Sequence, residues 1–131
     1  MTIIEIIKKQ IEILKKLIRS YQLQMAIKKN EPKPTQSEVL QWIRTSAKTW
    51  GVDTNLAIKV ANCESGLDPF AINFNSDGSV DRGLYQWNDK YHPEITDEMA
   101  FNYIIATNNF CRAVKQGYLS WWNSSKSCWS K

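Results

Sequence analysis

Two carboxylates carry the chemistry this sequence suggests. Glu64 ends the run T-N-L-A-I-K-V-A-N-C-E, and Asp81 follows in N-F-N-S-D-G-S-V-D-R-G. Glu64 sits in the last turn of an expected apolar helix. There the helix dipole disfavours negative charge, and apolar neighbours raise a carboxyl pKa. Both effects favour a proton on Glu64 near neutral pH, the state a general acid needs. From Glu64-Ser65 alone, an idle surface glutamate is the simpler account. The second carboxylate makes a paired-carboxylate site worth considering.

The elements that position the pair are legible locally. Leu56, Ala57, Ile58, Val60 and Ala61 give Thr54–Asn62 the spacing of a largely buried helix. Gly66 stands where a left-handed C-cap is wanted, and Pro69 keeps the helix from resuming. Ser76-Asp77-Gly78 reads as a hairpin turn between two short extended runs, with Asp81 on the return strand. Gly83 permits a bulge or a close backbone approach. A helix end with one carboxylate thus leads into a hairpin carrying the other, with a cleft expected between them.

The run from Cys63 to Asn88 resembles the lysozyme superfamily, both c-type lysozymes and the soluble lytic transglycosylases. Glu64, Ser65, Ala71, Asn73, Asn75, Asp77, Gly78, Ser79, Asp81, Gly83, Gln86 and Asn88 match the c-type pattern in order and without a gap. The likeness is close over this stretch and looser from Gly51 to Trp129. It implies a mainly α, α+β lysozyme-like domain that acts on peptidoglycan between N-acetylmuramic acid and N-acetylglucosamine. It makes Glu64 the general acid and Asp81 the group that stabilises or traps the oxocarbenium ion. Carboxyl groups about 5–5.5 Å apart would imply retention. Hydrolysis is the first choice. A lytic transglycosylase using Glu64 alone and releasing an anhydro product is the alternative, and a silent glycan-binding module on the same fold is a third reading.

The resemblance also suggests substrate contacts. Ser65 would bond near Glu64. Asn73 and Asn75 would orient Asp81 or touch sugar, though asparagines beside Asp-Gly are also ordinary turn residues. Gln86 and Asn88 would line the cleft floor. Tyr85, Trp87, Trp121 and Trp122 are candidate sugar platforms, each with a core role as its rival. Trp87 departs from the c-type pattern, which has an aliphatic residue there.

Three cysteines, Cys63, Cys111 and Cys128, leave open one disulfide plus a thiol or three reduced thiols. The c-type half-cystine pattern is absent. That fold, however, ties the active helix to the C-terminal region through a cysteine at the position of Lys59, one helical turn before Cys63. The resemblance therefore implies Cys63–Cys128 with Cys111 reduced, against Cys111–Cys128 or no bond. No Cys/His cluster has zinc spacing, so no metal or other cofactor is expected. His92, the single histidine, precedes Pro93 in an expected loop and has no role in this reading.

The chain of 131 residues suits one ordinary domain. Of its net charge of +4, residues 1–36 carry eight Lys/Arg against three Glu. The basic character lies in the N-terminal arm. Solvated lysines explain it, and nothing else points to nucleic acid. Residues 1–27 hold an amphipathic helix with a heptad pattern, Ile4, Ile11, Ile18 and Met25 in one seam and Ile7, Leu14 and Tyr21 in the other. Ile3, Ile6, Ile13 and Leu17 broaden the stripe. Self-association or another protein is the expected partner. Docking on the chain's own domain is the rival, and a membrane surface is a third occupant. Lysines interrupt every apolar run, unlike a signal peptide, and no run is long enough to span a membrane. Residues 28–36 read as a proline-containing linker and 37–131 as the catalytic domain, with Ser37 capping its first helix. Thr96 is expected to cap a later helix ending at Gly117. Such an enzyme would work outside the cytoplasm, secreted or phage-associated.

Overall fold

A computed structural model describes residues 1–131. The long helix α1 (Ile3–Lys29) comes first, then α2 (Gln36–Trp50) and α3 (Thr54–Ser65). Strands β1 (Ile72–Phe74), β2 (Val80–Arg82) and β3 (Trp87–Asn88) follow. The chain closes with α4 (Asp97–Ala100), α5 (Tyr103–Lys115), a 3₁₀ stretch (Leu119–Ser125) and α6 (Lys126–Trp129). The architecture is mainly α with a small antiparallel sheet, as the resemblance implies.

The main core lies where α2, α3 and α5 meet. Val39, Ile43 and Ala47 from α2, Ala57, Val60 and Ala61 from α3, and Ala106, Phe110 and Cys111 from α5 are all buried there. Every major helix start is capped by a side chain. Thr2 with Glu5 and Thr35 with Glu38 form reciprocal capping boxes on α1 and α2. The cap of α2 is therefore Thr35 rather than Ser37, because only Thr35 has a glutamate three residues on. Gly66 closes α3 in the left-handed conformation, φ 65°. The helix expected from Thr96 onward is two helices. The Asn102 side chain accepts from the Ile104 and Ile105 N–H groups and starts α5 afresh after Phe101.

The sheet has a third strand that sequence reading misses. β1 pairs with β2, Asn73 opposite Asp81, and β2 pairs with β3, Asp81 opposite Asn88. Asp81 is thus on the central strand, between two asparagines. Gly83, at φ 79°, passes so close to α4 that a Cβ there would overlap the Ala100 carbonyl. This is the close approach its position suggested.

The last third of α1 packs on the sheet and α4. Leu23, Ala26 and Ile27 form a second, smaller core with Val80 and Phe101. Arg19 forks onto Asp97 at 2.6 and 2.8 Å and reaches Asp89 at 3.0 Å. Buried Arg82 bonds Asp97 from the other side at 3.0 Å and donates to the Trp87 and Ile95 carbonyls. Burial alone would raise the Asp97 carboxyl, but the two guanidiniums hold it below its usual value. The same strand thus presents Asp81 to one side and Arg82 to the other.

Candidate active site

Glu64 and Asp81 line one cleft of about 610 Å³, with Gln86, Trp87, Asn88, Tyr91, His92, Glu94, Trp121, Trp122 and Ser124. Helix α3 supplies Glu64 from its last turn, and the central strand supplies Asp81. The 3₁₀ stretch closes the far wall. The spacing of the two carboxylates in the chain matters because the turn after Gly66 brings the strand back toward the helix end.

The Glu64 carboxyl is pushed above its ordinary range, first by burial and further by the charge of Asp81. One hydrogen bond opposes this. Ser125 Oγ donates to Glu64 Oε1 at 2.9 Å. Trp129 Nε1 in turn donates to Ser125 Oγ at 3.1 Å, so the hydroxyl is itself held in place. The bond occupies Oε1, and Oε2 makes no hydrogen bond to the protein. A raised carboxyl with one oxygen fixed is chemically able to serve as a proton donor.

Asp81 is oriented from both flanks. Asn75 Nδ2 donates to Oδ2 at 3.1 Å, and Asn88 Nδ2 donates to Oδ1 at 2.9 Å. Ser79 Oγ accepts from the same two amides. No cation pairs with Asp81. Arg82 binds Asp97, and Lys90 lies 3.7 Å from Asp77. The carboxylate is held by neutral donors and faces the cleft, so its charge is not cancelled locally.

A bond between Cys63 and Cys128 ties α3 to α6, with Cα atoms 6.0 Å apart. Cys111 is a buried free thiol, pushed up by burial. The pairing agrees with the one the resemblance implies. It places the tail bearing Ser125 and Trp129 against the helix bearing Glu64.

The remaining candidates separate into cleft and core. Gln86, Asn88 and Trp121 line the cleft, and Trp121 is 46% exposed. Tyr85 is not a sugar platform: it is 0% exposed, stacks on Phe110 at 4.1 Å and donates to the Ala57 carbonyl. Trp122 lines the cleft but offers little surface. It is 4% exposed, and its Nε1 donates to the Tyr85 carbonyl. Ser65 lies outside the cleft lining, its hydroxyl shared between the Ala61 and Leu84 carbonyls. Asn73 bonds Gln86 Oε1 at 2.6 Å and Asn75 bonds Asp81, so both act on residues of the cleft rather than lining it.

The sequence reading gives His92 no role and does not single out Ser125, Tyr91 or Glu94. The His92 ring packs 5.0 Å from Trp87 and 4.6 Å from Trp121, with Nδ1 3.2 Å from Glu94 Oε1. His92 thereby braces the aromatic wall. The neighbouring Tyr91-His92-Pro93 loop signal was visible, but its return to the cleft was not. No three His, Cys, Asp or Glu side chains gather as a metal site.

A sequence profile described as a lysozyme-like domain matches residues 43–122, well over half of the chain. The chain belongs to the lysozyme-like domain family. The matched region contains both cleft carboxylates and Trp121 but excludes α1, Ser125 and Cys128. The chain is also 30% identical over 69 residues to Protein IpgF of Shigella sonnei. That alignment covers 53% of this chain and 45% of IpgF, so the chain spans less than half of that relative's length.

Proposed function

We propose that this lysozyme-like domain hydrolyses the β-1,4 bond between N-acetylmuramic acid and N-acetylglucosamine in peptidoglycan. The observation that carries the reading is the pair itself. One carboxyl is raised by burial and bonded by a single serine, the other is held by two amides, and both line one cleft. A carboxyl raised by burial suits a general acid, and a carboxylate with no cation beside it suits stabilising positive charge.

In this mechanism protonated Glu64 donates from Oε2 to the glycosidic oxygen as the C1–O bond breaks. Positive charge develops on the sugar ring, and the Asp81 carboxylate stabilises it or closes onto C1. Each Asp81 oxygen already accepts an amide hydrogen bond, which suits electrostatic stabilisation. Glu64, now a carboxylate, takes a proton from the water that completes hydrolysis. Gln86, Asn88 and the exposed face of Trp121 offer polar and stacking contacts for the glycan. Such action takes place outside the cytoplasm, where a disulfide such as Cys63–Cys128 also persists.

Two variants test the assignment on purified cell walls. Glu64→Gln keeps the shape but removes the acid, and general acid catalysis contributes roughly 10²–10⁴-fold. Asp81→Asn keeps the hydrogen-bonding size but removes the charge. Hydrolysis through Asp81 predicts large losses in both. A near-normal Asp81→Asn enzyme releasing anhydro product would assign the reaction to Glu64 alone. Retained turnover in Glu64→Gln would remove Glu64 from the chemistry.

A further inference from the structure

The N-terminal helix offers two unlike faces. Successive helical residues are rotated by about 100°, so Arg19, Leu23, Ala26 and Ile27, which meet the domain, lie on one side. The heptad residues lie on the other. Ile4, Ile7, Ile11, Leu14, Ile18 and Tyr21 are 45–66% exposed. With the flanking isoleucines and Leu17 they cover about half the helix circumference. The side chains that hold the domain are thus nearly opposite the apolar stripe, which points away from it.

The charges are arranged around this stripe. At about 100° per residue, Lys8 and Lys15 fall along one edge, and Lys9 and Lys16 fall beyond the other. Glu5 and Glu12 fall between them, in the middle of the polar side. Phe74, at the end of β1, is 62% exposed and stands beside Ile13 and Leu17, extending the apolar surface off the helix. The helix is not apolar enough to cross a bilayer.

We propose that α1 lies in the surface of an anionic membrane, apolar face down, and holds the lysozyme-like domain on its upper side. Flanking lysines reach past the acyl boundary to acidic headgroups while their stems cover apolar surface. The two glutamates, farthest from the lipid, avoid its charge. A second copy of the chain fits less well. In a parallel pair Lys8 and Lys15 take the positions that seek acidic partners, and the facing positions hold Ile3 and Gln10. The stripe is also wider than a two-helix seam, and Phe74 lies outside any such seam.

The test uses the full chain with vesicles of phosphatidylglycerol and phosphatidylcholine, against vesicles of phosphatidylcholine alone, read by co-sedimentation. Light scattering without lipid runs alongside. The chain is expected to be monomeric and to sediment with the anionic vesicles, releasing as salt rises. Each lysine near an anionic surface contributes about fivefold. Lys8→Glu with Lys15→Glu should therefore weaken binding by at least about twentyfold. Leu14→Glu should abolish it, and circular dichroism should show both variants folded. A chain that ignores anionic vesicles overturns the proposal, whether it is a monomer or an oligomer. Binding to both vesicle types that is insensitive to Lys8 and Lys15 overturns it too. An oligomer dispersed by Leu14→Glu would assign the face to a second copy.

Discussion

Replacing Cys63 and Cys128 together by alanine should destabilise the domain more than any single surface change. The bond closes a stretch with a sequence separation of 65 residues. In the chain-entropy model a loop of that length restrains the unfolded state by about 4 kcal/mol. For a domain of this size each kcal/mol moves the melting temperature by about 3–5 °C, so the expected fall is roughly 15 °C. Thermal unfolding followed by near-ultraviolet circular dichroism measures it, with reduced wild-type protein as a second route to the same state. The two curves should coincide. Thiol titration of the native protein should find one slowly reacting group, since Cys111 is buried. A shift under about 3 °C, or three reactive thiols in oxidised native protein, would refute the reasoning.

Two further outcomes follow from charge and packing. A carboxyl whose folded pKa is raised contributes stability below its unfolded pKa, about 4.3, and loses it as pH rises through the folded value. Glu64→Gln, which can still accept from Ser125, should therefore melt higher than wild type at pH 8. That gain should shrink toward pH 4, at about 1.4 kcal/mol per unit of raised pKa. A gap that does not change with pH would show Glu64 to be unperturbed. Leu23→Ala should cost about 2–5 kcal/mol in urea unfolding, because Leu23 is fully buried against the sheet and α4. Leu14→Ala, on the exposed face of the same helix, should stay within about 0.5 kcal/mol. Equal small effects would show that α1 contributes nothing to the folded domain.

Local signals made half of this site readable. Glu64, Gly66, the Asp77-Gly78 turn, Asp81 and Gly83 lie in one short stretch, and each has a residue type its backbone conformation or chemistry requires. Ser125 escaped notice because only tertiary folding brings a tail serine to Glu64; its sequence, Ser124-Ser125, resembles any polar turn. Tyr85, expected as a sugar platform, lies in the core for the opposite reason. An aromatic type states how much surface is available and not which way it faces, and Tyr85 spends its hydroxyl on the Ala57 carbonyl.

The contact between α1 and the domain was hidden by the stronger pattern on the other side of the helix. Ile4, Ile11 and Ile18 advertise one face, whereas the docking face mixes Leu23 and Ile27 with Arg19, whose partners Asp89 and Asp97 lie 70 and 78 residues away. The break between α4 and α5 was legible in principle. Asn102 is a good cap, but the apolar residues around it kept the helical period running through.

Digestion of purified peptidoglycan in oxygen-18 water tests the central claim most directly. Hydrolysis with Glu64 as acid predicts reducing-end muramic acid carrying one oxygen-18 atom, from wild type and not from Glu64→Gln. Product lighter by one water and free of label would contradict it, and would make the sugar's own hydroxyl, rather than water, the group that completes the reaction.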